Sequence, residues 1–511
     1  MRKIVTFAAV YIGTYEVTLR IYEIKNEAGK LREIDYLRMP TDLARDIFEK
    51  GKVTYETLDR LCECLSEMMN TAGVYKVDDY RICAGYAIRS AENVYFVLDQ
   101  IRIRCGLDVE IISNSEQRFL TYLASAAIDK FEDMIADTAI MVDVGGSSLQ
   151  ITLFDDGKLI TTQHIYIGGL RIRENLNRLY RKNDVRDQLK ELINKELMSF
   201  IRMYLGDRQP KYLILLNDQI LNILRRINKK AGNHLVDKAE GMKSLKKIYS
   251  KLTNAVSSDS DDIIEDPDEM LLPFYLIFET LATDLPYEQV FMPGVSITDG
   301  IALEYAYNNK LLRSKHDFEE DVLGAAWSIA ERYDCYKPHL NAMEKLSAEI
   351  FDVTKKYHGM KKRERLMIRT AAILHDCGKY ISLSRAPEAS HTIIMSTEIL
   401  GLTHKEREII ASVCAYIHRD VPPYSEMADH FDESEYLIFL KLLAILRVAN
   451  AMDRSNKQKI KNVKMVIRER SLVITIESKD SITLETGLFE EKAEFFESVF
   501  AIRPVLREKK L

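Results

Sequence analysis

Four of the ten histidines fall at His339, His375, His391 and His418, and the second is followed at once by Asp376. Neutral imidazole with carboxylate suits manganese, iron, zinc or nickel better than an ion that prefers oxygen alone. An ion held there would acidify a bound water and clamp a phosphate. A histidine in a helical core is also an ordinary hydrogen-bonded group, so both readings stand on the residues alone. A second kind of chemistry sits in Gly145-Gly146-Ser147-Ser148, just after Asp143. A tight Gly/Ser turn at a strand end directs N–H groups and hydroxyls outward, which complements phosphate. An Asp at the end of a buried strand can hold Mg2+ or orient a water. The plain alternative is a hairpin of small residues.

The elements that must position these groups can be read from periodicity. Residues 3–12 are apolar and β-branched, and 17–23 alternate with period two, as strands do. Leu58, Leu61 and Leu65 lie at helical spacing within 54–73. Residues 138–144, 149–154 and 158–165 are strands again, so strand, short turn and strand occur twice, about 130 residues apart. Two facing α/β lobes would explain this; two unrelated hairpins would as well. Residues 254–270 read as an acidic exposed loop, and 289–300 as a strand and turn. Helical periodicity then runs through 322–333, 340–353, 365–374, 391–400, 405–417 and 436–452. Residues 462–477 and 481–485 suggest a small sheet, and 488–500 a short helix.

Composition narrows the classes. With 511 residues, 47% hydrophobic and 29% charged, the chain can bury several cores. A net charge of −6 gives no electrostatic case for specific nucleic acid or an anionic membrane. No run approaches a membrane span or a signal peptide, and the seven scattered cysteines form no CxxC pair. A cytoplasmic protein with reduced thiols is expected.

Several segments resemble the exopolyphosphatase/guanosine pentaphosphate phosphohydrolase (Ppx/GppA) family of the actin-like superfold. Ala8 to Glu16 is similar to its first phosphate loop, A-A-[IV]-D-[IL]-G-S-N-S. Ala84 to Arg89 with Asn93 resembles A-T-S-A-x-R-x-A-x-N, and Glu110 to Gln117 resembles E-[IV]-I-S-G-x-E-E. Val142 to Gln150 resembles the second loop, [IV]-D-I-G-G-G-S-T-E, while Gly168, Arg171, Pro293-Gly294 and Asp299-Gly300 match later segments. The resemblance implies phosphate binding by Gly13, Thr14, Arg89, Gly145, Gly146, Ser147 and Ser148, and Mg2+ with Asp143. It places the family's catalytic Glu at Gln117, beside Glu116, and an Asp of the first loop at Tyr11. Glu16 stands where a phosphate should sit, Gln150 ends the second loop, and Asn217-Asp218-Gln219 replaces a Gly-rich segment. A glutamine orients a water but cannot take its proton, so hydrolysis in this cleft is expected to be weakened or lost.

The pattern H…HD…H…H with Gly378-Lys379 after the pair resembles the HD metal-dependent phosphohydrolases. That resemblance implies His339, His375, Asp376, His391 and His418 as ligands of a divalent transition metal, and Lys379 on substrate phosphate. Its last ligand position falls on Asn450, with Asp453 three residues on. Arg419, Arg447, Arg454, Lys457 and Lys459 near this site suit a polyanion, or form a solvated face.

The fold class expected is α/β: two actin-like (ASKHA, ribonuclease H-like) lobes at 1–128 and 129–304, an all-α HD-like domain at 305–460, and a small α+β tail at 461–511. The resemblance implies a homodimer and, as ligands, polyphosphate or guanosine penta- or tetraphosphate. Three functions are open: an exopolyphosphatase with an eroded cleft, a metal-dependent phosphohydrolase of the HD type, and a non-catalytic polyphosphate or (p)ppGpp sensor.

Overall fold

The computed structural model describes residues 4–25, 30–145, 148–169, 172, 185–216, 235–257 and 271–509. Gly146, Ser147, Arg171, the segment 217–219 and most of the acidic stretch 254–270 lie outside them. The chain divides into two compact units, Met1–Asp317 and Phe318–Leu511.

In the first unit, β1 (Ile4–Ile12), β2 (Glu16–Lys25), β3 (Lys30–Pro40), β4 (Asp79–Ala84) and β5 (Glu110–Ile111) form one sheet in the order β3-β2-β1-β4-β5. Central β1 buries Phe7 to Val10 and Ile12, the continuous apolar run that a strand covered on both faces requires. Strand β2 buries Val17, Leu19 and Ile21 and turns Thr18 and Arg20 to the other face. Edge strand β3 has no such pattern, since most of its side chains are only partly covered and it pairs with β2 alone.

A second sheet contains β6 (Ala139–Val144), β7 (Leu149–Asp155), β8 (Lys158–Ile165), β9 (Tyr212–Leu216), β10 (Leu235–Asp237) and β11 (Gln289–Phe291), in the order β10-β11-β9-β6-β7-β8. Read from β8, it repeats the first sheet: two antiparallel pairings, then two parallel ones, with β10 added at the edge. The two hairpins therefore belong to two lobes of one topology. Helix Ile297–Asn308 follows the second sheet and packs on helix Asn114–Ala126 and β1 of the first lobe. Gly300 permits that approach, because a Cβ there would lie 2.1 Å from the Leu120 carbonyl oxygen.

The second unit opens with helices Phe318–Arg332, Lys337–Val353, Lys362–Leu374, Ala386–Ser396, His404–Ala415 and Glu433–Met452. Glu433–Met452 buries almost every residue from Leu442 onward and forms the unit's axis. A three-stranded sheet, β12 (Ile460–Arg468), β13 (Ser471–Ser478) and β14 (Arg503–Glu508), then packs on helix Thr483–Phe500. The strand expected over 481–485 is instead the start of that helix, whose buried Glu485 accepts from Lys459. The third strand is β14, parallel to β13. Among the described residues, no helix is long and apolar enough to cross a membrane.

Candidate functional site

The first lobe pair encloses a cavity of about 200 Å³ lined by Tyr11, Gly13, Thr14, Glu16, Gln117, Asp143, Gly145 and Ser296, among others. The two turns are closed by the same backbone hydrogen bond. The Gly13 amide donates to the Glu16 carbonyl at 2.9 Å, and the Gly145 amide to the Ser148 carbonyl at 2.9 Å. A Cβ would lie 2.9 Å from the first of those oxygens and 3.2 Å from the second. Both glycines thus close their turns with the very N–H groups that the sequence assigned to phosphate, and they contribute shape rather than those donors.

Each carboxylate of the cleft has a definite place. Glu116, a candidate base on the sequence, caps its own helix: its Oε2 accepts from the Ser113 amide at 2.7 Å while its own amide donates to Ser113 Oγ. Gln117, one residue on, lines the cavity instead. Glu16, which stands where the resemblance puts a phosphate, is paired with Arg38 on β3. Asp299 accepts from Arg20 at 3.1 Å, from Tyr22 at 2.8 Å and from the Ser296 amide at 2.7 Å. Asp143 remains. Burial pushes its carboxyl up to about 6, opposed by the Arg118 guanidinium. Arg118 also donates to Ser148 Oγ at 3.2 Å.

Tyr11 occupies the first-loop Asp position and wedges its hydroxyl against Gly85, where a Cβ would lie 2.1 Å from Tyr11 Oη and 3.4 Å from Gln117 Oε1. Burial holds its phenol above the ordinary range. Arg89, expected on phosphate, is instead bound to the Ile112 carbonyl and to Asn114 Oδ1. It lies on the short helix Tyr86–Arg89, whose start Gly85 fixes, and from there it reaches the end of β5.

Among the described residues Asp143 is the cavity-lining carboxylate left for magnesium, an ion usually held through one or two carboxylates with its waters and substrate phosphates. That ion needs near-octahedral oxygen ligation. Only Asp143 offers a carboxylate without a neutralising partner in direct contact, and a guanidinium already acts on it. The buried Gln150 Oε1 has no hydrogen-bond partner among the described residues, but Gln150 does not line the cavity.

In the second unit the donor set does fit a transition metal. His339, His375 and Asp376 offer ligand atoms within 4.8 Å of one another, the one such group among the described residues. His339 Nδ1 lies 2.7 Å from Asp453 Oδ2, and His375 Nδ1 lies 2.8 Å from the Ala372 carbonyl. Both partners are acceptors, so both imidazoles carry their proton on Nδ1. Their Nε2 lone pairs then face each other at 3.3 Å. Two lone pairs at that distance repel unless a cation lies with them. Burial holds His375 below the ordinary imidazole range, the neutral form a ligand needs. Burial opposes the Asp376 carboxylate, but His375, Lys379 and His339 outweigh it and keep it below the usual range.

Five expected participants take other places. His391 is not part of the group: Ser390 bonds the Gly378 amide and the His375 carbonyl, and the next residue turns about 100° round the helix, toward Glu408 and His430. Asn450 bonds Arg454 at 3.5 Å, whereas Asp453 reaches His339. Lys379 folds back through the Cys377–Tyr380 turn onto Asp376 at 2.5 Å. Buried Arg447 ties down the Tyr416 and Arg419 carbonyls and stacks on Phe495. His418 stands exposed at the rim, its Nε2 3.4 Å from Arg454, within the field of His375 and Asp376.

Sequence reading missed Arg118 altogether. Its neighbours Gln117 and Thr121, four residues apart on that helix, line the cavity, whereas Arg118 is not among the lining residues and is placed by its bond to Ser148.

Residues 21–306 match the model of the Ppx/GppA phosphatase family, and residues 325–493 that of Ppx/GppA phosphatase, domain III. A guanosine-5'-triphosphate,3'-diphosphate pyrophosphatase of Aeromonas hydrophila is 20% identical over 419 residues, 80% of this chain and 79% of that protein. The same-named protein of Photobacterium profundum is 18% identical over 424 residues, 80% of this chain and 79% of its own. The crystal structure of an exopolyphosphatase-like protein superposes with a TM-score of 0.50 at 16% identity, over 60% of this chain and all of that one. At that identity the likeness speaks for the actin-like fold of the two lobes.

Proposed function

This chain belongs to the Ppx/GppA phosphatase family, and from that premise we propose that its cleft holds the phosphate chain of polyphosphate or of guanosine penta- or tetraphosphate without hydrolysing it at enzyme rates. The observation that carries this is the pairing of Gln117 with a capped Glu116. The amide lines the cavity where a base is needed, and the neighbouring carboxylate is bonded to its own helix terminus. A positioned base supplies a factor of about 10²–10⁴, and none of the described carboxylates except Asp143 is unpaired there. Tyr11 adds a neutral hydroxyl where an Asp would sit. Phosphate release from polyphosphate and pppGpp by the purified protein tests the reading. Slow or no release, with ligand-induced thermal stabilisation, is expected. Linear release at ordinary enzyme rates, abolished by Asp143→Ala, overturns it.

A second reading concerns the helical unit as a metal-dependent phosphohydrolase of the HD type. It is favoured by the two facing Nε2 atoms beside Asp376. His339, His375 and Asp376 would hold the ion, which when bound acidifies water and polarises phosphate. Asp453 and the Ala372 carbonyl keep the rings in the ligating tautomer. Elemental analysis of protein purified without chelator tests it. Metal present in wild type and lost in His375→Ala is expected; a chain that stays metal-free on reconstitution ends the idea.

A further inference from the structure

Two of the seven cysteines, Cys62 and Cys105, meet in the first lobe across 43 residues of chain. We propose that they form a modification site: a hydroperoxide oxidises Cys105, and Cys62 then closes an internal disulfide between helices Tyr55–Val74 and Val94–Cys105.

The Cys105 thiol donates to the Cys62 carbonyl at 3.6 Å, and the two thiols also bond one another. A bridge therefore needs an existing sulfur contact to tighten to covalent length. Cys62 lies inside its helix, whereas Cys105 is the last residue of its own, followed by Gly106 in the left-handed conformation at φ 68°. The closing movement thus falls on a helix end. The two thiols also differ as a two-step oxidation requires. Cys62 is buried, and that burial pushes it up to about 11, with the Cys105 thiol adding to it. Such a thiol stays protonated until its partner is activated. Cys105 is half-buried, so a small oxidant reaches it. Its sulfur lies 3.7 Å from Ser66 Oγ, whose proton is directed to the Cys62 carbonyl at 2.8 Å and can turn to a thiolate. The Arg104 guanidinium, bonded to Asp59 at 2.8 Å, lies within the field of both sulfurs and favours the anion. Among the other cysteines, Cys83, Cys377 and Cys414 are buried, and burial pushes Cys64 up to about 11 and Cys335 up to about 12.

The Cys105 thiolate attacks the terminal oxygen of the hydroperoxide. An S–O bond forms, the O–O bond breaks, and the departing oxygen takes up the proton that Cys105 released. The Cys62 sulfur then attacks the Cys105 sulfenic acid. An S–S bond forms, the S–O bond breaks, and water leaves with the Cys62 proton. Two thiols are oxidised and one hydroperoxide is reduced.

The test uses the reduced full chain and hydrogen peroxide in small molar excess. Thiols are counted after denaturation, and linked peptides are identified by mass spectrometry. Two of the seven thiols are expected to disappear, with one disulfide joining Cys62 to Cys105, and dithiothreitol should restore them. Cys62→Ser should stop at a Cys105 sulfenic acid that dimedone traps, and Cys105→Ser should keep its remaining thiols at the same dose. The wild-type mapping decides the proposal even where a variant fails to fold. Seven thiols retained at a dose that oxidises an equal concentration of glutathione, or a disulfide joining any other pair, overturns it. A folded Cys62→Ser chain with no adduct at Cys105 overturns the assignment of Cys105 as the thiol attacked first.

Discussion

Asp453→Asn is the sharpest perturbation of the helical unit, because it preserves shape and changes one atom's chemistry. Asp453 is 3% exposed, and both of its oxygens are in use. Its Oδ2 accepts from His339 Nδ1 at 2.7 Å and from Gln458 Nε2 at 3.0 Å, and its Oδ1 accepts from the Gln458 amide at 2.8 Å. Asparagine has one acceptor and one amide donor in their place. With its oxygen toward Gln458, its NH2 faces the His339 Nδ1–H, and the imidazole escapes the clash by moving its proton to Nε2. The lone pair that faced His375 at 3.3 Å is then gone. With its oxygen toward His339, the bond survives without its charge, at about half the strength. Either way, loss of such an outer partner weakens a metal site by about 10–100-fold, or roughly 1.4–2.7 kcal/mol. Co2+ titration of the metal-free protein, read by its visible ligand-field absorption against a chelator, measures this. Asn450→Ala serves as the comparison, since Asn450 reaches only Arg454. A loss with Asn450→Ala and none with Asp453→Asn would refute the reasoning that Asp453 orients the ligand.

Three further outcomes are expected. Asp143 titrates near 6 in the folded chain, above its ordinary 3.8, so the folded state holds more protons between those values and stability falls as pH rises through that window. Asp143→Asn removes the penalty and should stabilise the first unit by up to about 3 kcal/mol near neutrality, with the gain vanishing near pH ~4; thermal unfolding with an equal gap at both pH values contradicts this. Gln117→Glu returns a carboxylate to the cavity lining and should raise phosphate release from polyphosphate, by up to the factor of about 10²–10⁴ that a base supplies; a rate unchanged from wild type counts against the missing base as the cause. Gly300→Ala places a methyl 2.1 Å from the Leu120 carbonyl and must push the packed helices apart, a cost of at least about 1–3 kcal/mol; a melting temperature equal to wild type shows that contact to be looser than described.

Much of the architecture was legible because its signals are local. The buried strands β1 and β6, the alternation of β2 and the apolar periodicity of the long helices each declare themselves within a few residues. Strand β3 did not, because an edge strand buries little and its pairing with β2 is set by the neighbour. Strand β14 was equally silent, since its pairing with β13 spans the intervening helix Thr483–Phe500.

The sites were legible as residue types and far less as partners, and helix geometry explains the difference. A motif fixes which side chains are near in sequence, while one residue's step turns a side chain by about 100° and three residues return it to the same face. That rotation sends His391 away from the pair that Ser390 holds, and brings Asp453 to His339 in place of Asn450. It also separates Glu116, bound to its own helix end, from Gln117 in the cavity and Arg118 beside Ser148. Three consecutive residues of one helix thus cap, line and neutralise. Gln117 stands in the cavity lining at the position where the family resemblance puts a catalytic Glu, while the carboxylate beside it is bonded to the helix terminus.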